Sequence, residues 1–230
     1  MAGRQRHDDT ADDRADPRGR GGARRRPHQA LGGAQVADRV GVLGGTFDPV
    51  HVAHIFAAAE ARHRLRLDRV LFVVANVPWQ KRDRNVTSAE DRFAMVAAAL
   101  DGVEGLEASR IELDRGGESY TADTLAELAA RWPGADLVLL IGADVADELH
   151  TWKRVDEVRE LATLGVWRRQ GVEVPDLGPE WRVTPVDVPC LELSSTELRA
   201  RAVAGRPLDG LVPAPAVRLI RERGLYAGRE

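Results

Sequence analysis

Apolar and polar positions divide the chain into two textures. Residues 1 to 38 carry almost no large apolar side chain, and the stretch "RQRHDDTADDRADPRGRGGARRRPHQ" mixes Arg, Asp and Gly. Such a segment cannot bury enough surface to offset the entropy of ordering it, so a disordered charged tail is expected. From Arg39 onward, short apolar runs alternate with amphipathic stretches. "RVGVLGG" is an apolar run closed by two glycines, the pattern of a buried strand. "RVLFVVAN" and "ADLVLLIG" are almost continuously apolar, as strands covered on both faces are. "ASRIELDR", "ATLGVWRR" and "WRVTPVDVP" complete the expected strands.

Helical patterns separate them. One runs from about Val52 to Leu65. A second covers "TSAEDRFAMVAAAL", with Thr87 and Glu90 as a capping box and Phe93, Val96, Ala97 and Leu100 on one face. A third covers "TADTLAELAARW", with Leu125, Leu128, Ala129 and Trp132 on one face and Pro133-Gly134 as its stop. Shorter helical turns are expected at Val145–Leu149 and Asp156–Leu161, then a helix from about Ser195 and a last one from Pro215 to Arg223. Strands spaced by such helices are βαβ units. The expected fold is α/β: a Rossmann-like, doubly wound, mainly parallel sheet with helices on both faces and a C-terminal helical segment. One domain spans residues 39–230 behind the tail of residues 1–38. The other explanation of the tail is a misassigned start, with the true start near Val36 or Val40.

Composition narrows the function classes. The 230 residues, with a formal net charge of −3, suffice for one sizeable core. No apolar run approaches the ~20 residues that cross a bilayer, and no membrane partner is expected. The N-terminus has no apolar stretch of a secretory signal. The single cysteine, Cys190, cannot form an internal disulfide and is compatible with a reducing cytoplasm. Its apolar setting suits a packed residue better than a nucleophile. The near-neutral charge gives no argument for binding nucleic acid. A homo-oligomer stays open.

In doubly wound sheets ligands bind beyond the C-terminal ends of the strands. Two loops qualify by position: "GGTFDPVHVAH", Gly44 to His54, after the first strand, and "IGAD", Ile141 to Asp144, after the fourth. The first matches neither G-x-G-x-x-G nor a P-loop. Its glycine turn lets backbone N–H groups approach an anion, and His51 and His54 share a helix face at i, i+3. Converging imidazoles and N–H donors suit a polyphosphate whose charge redistributes in a reaction. A metal site would need further ligands at suitable spacing, which the chain lacks, so no metal ligand set is assigned. "LELSSTELRAR" offers Ser194 as a cap with Glu197, followed by the hydroxyls of Ser195 and Thr196 and by Arg199. It fits a phosphate site and equally a capped surface helix with a solvated arginine. Thr121 in "SYTADTL" is by itself only a helix cap. Trp152, beside Lys153, is either a core anchor or a flat face for an aromatic ring.

Together these segments resemble the bacterial nicotinate-nucleotide adenylyltransferase family, in its actinobacterial form. The motifs occur in the family's order: "GGTFDPVHVAH", "VPWQK", "SYTADTL", "IGAD", "TWK", "LSSTELR" and the closing "VPAPAVRLIRERGLY". The resemblance spans about Val40 to Tyr226. It implies transfer of the adenylyl group of ATP to nicotinate mononucleotide, giving nicotinate adenine dinucleotide and pyrophosphate, a late step of NAD synthesis. Mg²⁺ travelling with ATP is also implied, with few direct protein ligands. By the resemblance, His51 and His54 contact the ATP phosphates, and His54 is the more directly catalytic. Gly45, Thr46 and Phe47 form the turn beside the reacting phosphates. Ser194, Ser195, Thr196 and Arg199 hold the triphosphate, and Gly142 and Asp144 hold nucleotide riboses. Thr121, Trp152 and Lys153 belong to the nicotinate pocket, and Asn76 and Lys81 to a substrate loop. Ala53 departs from the family's His-x-Gly-His. The competing expectations are a sister enzyme acting on nicotinamide mononucleotide or phosphopantetheine, and a non-catalytic nucleotide-binding module.

Overall fold

The computed structural model describes residues 38–78, 86–167, 173–189 and 191–227. The tail, Lys81 and Cys190 lie outside the described residues, as does the Trp79-Gln80 part of "VPWQK". Six strands form one sheet: β1 (Arg39–Gly45), β2 (Arg69–Val74), β3 (Leu106–Ser109), β4 (Asp136–Gly142), β5 (Thr163–Trp167) and β6 (Val183–Val186). Their order is β3-β2-β1-β4-β5-β6, and every neighbouring pair is parallel. The chain winds outward from β1 in one direction, then returns to β4 and winds in the other. The switch point therefore lies between the C-terminal ends of β1 and β4, where such sheets hold ligands.

The strands bury both faces, and their alternation sends side chains into two separate cores. Val70, Phe72 and Val74 of β2 pack with helices α1 (Val52–Arg64), α2 (Ala89–Leu100), α7 (Ser195–Val203) and α8 (Ala214–Glu222). Leu71 and Val73 point the other way, towards α4 (Thr121–Arg131), α5 (Ala143–Asp147) and α6 (Val155–Leu161). A doubly wound α/β sheet with a C-terminal helical segment is thus the observed architecture.

Local details differ from the pattern-based expectation at four places. "ASRIELDR" is a strand only to Ser109. Ile111–Arg115 forms the short helix α3, which buries Ile111 and Glu112. The cap of α2 is Ser88, whose side chain accepts from the Asp91 N–H, and not Thr87. The buried stripe of α2 is Arg92, Met95, Val96, Ala99 and Leu100, rotated from the expected face so that an arginine lies on it. Thr121 is the first residue of α4, and Tyr120 is the N-cap without a side-chain cap bond. By contrast, Ser194 does cap α7, accepting from the Glu197 N–H at 3.2 Å.

Candidate active site

β1 ends in Gly45, and the chain then makes the tight turn Thr46–Val50 before α1 begins. Phe47 is the pivot. Its φ of 49° puts a bulky residue in left-handed backbone, and its side chain is buried. Such conformations cost about 1–3 kcal/mol and persist where the surroundings enforce them. Here the ring fills the space beside Gly45, where any Cβ would come within 2.7 Å of it. Phe47 also meets the edge of His54, with ring centroids 5.1 Å apart. On another side, the His51 ring stacks on His54 at 3.6 Å. His54 Nδ1 accepts the backbone N–H of His51 at 3.3 Å. A neutral ring accepting at Nδ1 carries its proton on Nε2, so the contacts select a tautomer as well as an orientation. His51 is almost fully buried, and His54 is partly exposed.

The same turn is held from several elements. Asp48 is buried, and one carboxylate oxygen accepts the Tyr226 hydroxyl at 2.6 Å while the other accepts the Thr87 N–H at 3.2 Å. Burial, with the Asp48 charge beside it, pushes the Tyr226 hydroxyl far above its ordinary pKa and keeps it a donor. Arg199 donates to the Asp48 carbonyl at 2.7 Å and to Thr196 Oγ1 at 3.3 Å. Ser195 Oγ donates to the Pro49 carbonyl at 2.9 Å. The α7 N-terminus is thereby fastened to the histidine turn across about 150 residues of chain, and the two motifs form one polar surface. On it, Ser194 and Thr196 are exposed.

A cavity of about 140 Å³ adjoins this turn. It is lined by Gly45 and Thr46 on one side and by Ser119, Tyr120, Thr121, Trp152 and Lys153 on the other. Thr121 opens α4, an eleven-residue helix whose first N–H groups favour negative charge. Lys153 adds a cation there: its Nζ donates to the Tyr120 hydroxyl at 2.8 Å and lies 4.7 Å from that ring's centroid. Glu112 lines the cavity too. It is buried, accepts the Thr124 hydroxyl at 2.6 Å, and burial raises its pKa above the ordinary carboxylate value.

The structure thus brings Gly45, Thr46, Phe47, His51 and His54 together with Ser195, Thr196 and Arg199. Thr121, Trp152 and Lys153 gather around the adjacent cavity. Asn76 stands beyond β2, where its backbone N–H donates to Ser119 Oγ at 2.8 Å and its side chain to the Gly117 carbonyl at 2.9 Å. Gly142 ends β4 and Asp144 lies in the first turn of α5. Gly142 is buried, Asp144 is exposed, and neither lines the cavity. Sequence reasoning missed Arg92, Glu112 and Tyr226. The signals are faint: one arginine among the apolar positions of α2, a glutamate in a stretch whose pattern predicts a strand, and a tyrosine in the closing motif with no chemistry attached.

Fold, switch point and paired motifs define a nucleotidyltransferase, and a cytidylyltransferase-like family model matches residues 42–201. A probable nicotinate-nucleotide adenylyltransferase of Corynebacterium kroppenstedtii is 45% identical over 191 residues, covering 82% of this chain and 90% of the relative. One from Streptomyces coelicolor is 44% identical over 187 residues, covering 81% of this chain and all of the relative. The chain belongs to the nicotinate-nucleotide adenylyltransferase family. Solved structures share the fold at low identity. The Plasmodium falciparum nicotinic acid mononucleotide adenylyltransferase complexed with NaAD superposes with a TM-score of 0.70 at 15% identity, covering 82% of this chain and 97% of that one. A putative nicotinate-nucleotide adenylyltransferase from Vibrio parahaemolyticus gives 0.62 at 18%, covering 84% and 97%.

Ala53 occupies the second position of α1, between the two histidines. It adds a methyl group where the His-x-Gly-His pattern of the resembled family has glycine, a residue that lets backbone approach a ligand more closely. Ala53→Gly should therefore lower the KM for ATP, at a stability cost of about 0.5–1 kcal/mol for glycine in a helix. Steady-state kinetics at saturating acceptor checks this, and an unchanged or raised KM counts against it.

Proposed function

We propose that the chain transfers the adenylyl group of ATP to nicotinate mononucleotide, releasing nicotinate adenine dinucleotide and pyrophosphate. Residues 39–230 are taken as the catalytic domain, working in the cytoplasm. The observation that carries this reading is the adjoining pair of surfaces. A histidine turn fastened to a helix N-terminus suits a triphosphate, and the neighbouring cavity has a tryptophan face, a lysine and a helix N-terminus for an anionic aromatic acceptor.

A phosphate oxygen of the acceptor forms a bond to the α-phosphorus while the bond from that phosphorus to the bridging oxygen of pyrophosphate breaks. Charge accumulates on the departing pyrophosphate. His54 Nε2–H, Arg199 and the N–H groups opening α7 stabilise it, and fixed donors of this kind need no reorganisation as the reaction proceeds. Ser195 and Arg199 also hold the turn through the Pro49 and Asp48 carbonyls, so triphosphate binding and turn geometry are one arrangement. No nucleophile of the protein is required, and positioning supplies much of the rate.

Among the described residues no group of three or more His, Cys, Asp or Glu is arranged to hold a metal. Asp48, the carboxylate in the turn, has both oxygens engaged by Tyr226 and Thr87. This donor set fits Mg²⁺ only as an ion carried on the triphosphate oxygens, where it would neutralise charge on the polyphosphate. Among the described residues no helix is long and apolar enough to cross a membrane.

The test is pyrophosphate release from ATP and Mg²⁺ with each acceptor in turn. Release with nicotinate mononucleotide is expected. Release only with nicotinamide mononucleotide or phosphopantetheine would assign a sister activity, and none with any acceptor would favour a binding module.

A further inference from the structure

Arg92 is the largest fully buried side chain among the described residues, at 1% exposure. Nothing in the proposed chemistry uses it. Its three donor nitrogens go to three different loops: Nη1 to the Thr46 carbonyl at 2.9 Å, Nη2 to the Asn76 carbonyl at 3.1 Å, and Nε to the Thr87 carbonyl at 2.8 Å. Thr46 belongs to the histidine turn. Thr87 also donates its N–H to Asp48 of that turn. Asn76 in turn donates its N–H to Ser119 Oγ at 2.8 Å, and Ser119 N–H donates to the Val77 carbonyl at 3.2 Å. Ser119 adjoins Tyr120 and Thr121 in the wall of the acceptor cavity. A continuous hydrogen-bonded path therefore runs from the turn proposed to hold ATP, through Arg92 and Asn76, to the cavity proposed to hold the acceptor.

We propose that Arg92 is a positioning residue that sets the distance and angle between the ATP turn and the acceptor pocket, so that the two phosphates meet in line. This rests on the function proposed above. Burying a guanidinium is costly unless its donors are satisfied and charge compensates it. Burial does lower its pKa, opposed chiefly by the Asp48 charge. Three carbonyls in divergent directions need a planar, rigid fork, and the ammonium of lysine, a compact point charge, cannot reproduce it. An apolar side chain would fill the α2 stripe equally well. What the arginine adds is one rigid group bonded to all three loops at once, beyond the pairwise bonds from the Ala75 N–H to the Gly45 carbonyl and from the Thr87 N–H to Asp48.

The experiment compares wild type with Arg92→Lys and Ser119→Ala. The first keeps the charge and removes the fork, and the second cuts the path at its acceptor end without touching the buried cation. ATP and nicotinate mononucleotide are each titrated alone by calorimetry, and kcat is measured with both. Expected are single-substrate affinities near wild type and a fall in kcat of up to about 100-fold for Arg92→Lys, the scale of a 1 Å misplacement of reacting groups. Ser119→Ala should show a smaller fall in kcat at saturating substrates with ATP affinity near wild type. Because Ser119 lines the acceptor cavity, a weaker acceptor affinity is expected of this variant and does not bear on the positioning role. Should Arg92→Lys not fold, Ser119→Ala decides the matter alone. Folded variants with unchanged kcat, or with a lowered melting temperature as their sole defect, would overturn the positioning role. A wild type that releases no pyrophosphate from ATP with nicotinate mononucleotide would overturn the proposed function, and this inference with it.

Discussion

His54→Ala is expected to lower kcat by about 10²–10³-fold while the melting temperature stays near wild type, which is the usual loss on removing one donor aimed at developing charge. The expectation comes from how the ring is held. His54 is only partly buried, so its removal leaves a small defect in packing. Yet His51 stacks on it, Phe47 meets its edge, and its Nδ1 takes a backbone N–H. Those contacts leave Nε2–H as the donor and remove the freedom that would weaken it. His51→Ala should behave differently. That ring is almost fully buried, so activity and stability should fall together. Rapid-quench single turnovers with thermal melts separate the two. A His54→Ala variant with near-wild-type kcat would remove the residue from the chemistry. A variant that loses stability as much as His51→Ala would make it a packing residue.

Both histidines were visible in the sequence because their neighbours were. A strand that ends in two glycines and is followed by a helix puts whatever comes next at a sheet's C-terminal edge, and "GGTFDPVHVAH" meets that condition. The near-continuous apolar runs of β2 and β4 likewise announced strands covered on both faces. The rest was hidden for physical reasons. Arg92 sits on the apolar stripe of α2, and periodicity alone discounts an arginine in favour of Phe93 one position on. Its buried donors are met by carbonyls of Thr87, just ahead of its own helix, and of two more distant loops, at Asn76 and Thr46. Tyr226 reaches Asp48 across 178 residues, a contact no local pattern encodes. Glu112 was obscured by chain direction: the backbone turns from strand to helix at Arg110, and a period of two no longer describes which side chains go inside. Each missed group is polar, at least partly buried, and held by hydrogen bonds to other elements of the fold. A binary pattern locates cores well and such groups poorly, since their burial is decided by tertiary hydrogen bonds.

The second large effect concerns Trp152. Trp152→Ala is expected to raise the KM for nicotinate mononucleotide by about 5- to 150-fold, the equivalent of the roughly 1–3 kcal/mol measured for stacking a base on an aromatic side chain. The KM for ATP should move little. Trp152 follows the 3₁₀ turn Leu149–Thr151 and lines the cavity with Thr121 and Lys153. It also packs against the core on the α4 and α6 face, so alanine would remove packing as well as a platform. Its indole N–H is buried and has no hydrogen-bond partner among the described residues. Trp152→Phe separates these roles, because phenylalanine keeps a flat face and deletes the N–H. If stacking is the main contribution, Trp152→Phe should restore most of the acceptor KM. If the N–H donates to the acceptor, Trp152→Phe should resemble alanine. A rise confined to the KM for ATP would instead put the indole against adenine, and equal rises in both KM values with a lower melting temperature would assign Trp152 to the core alone.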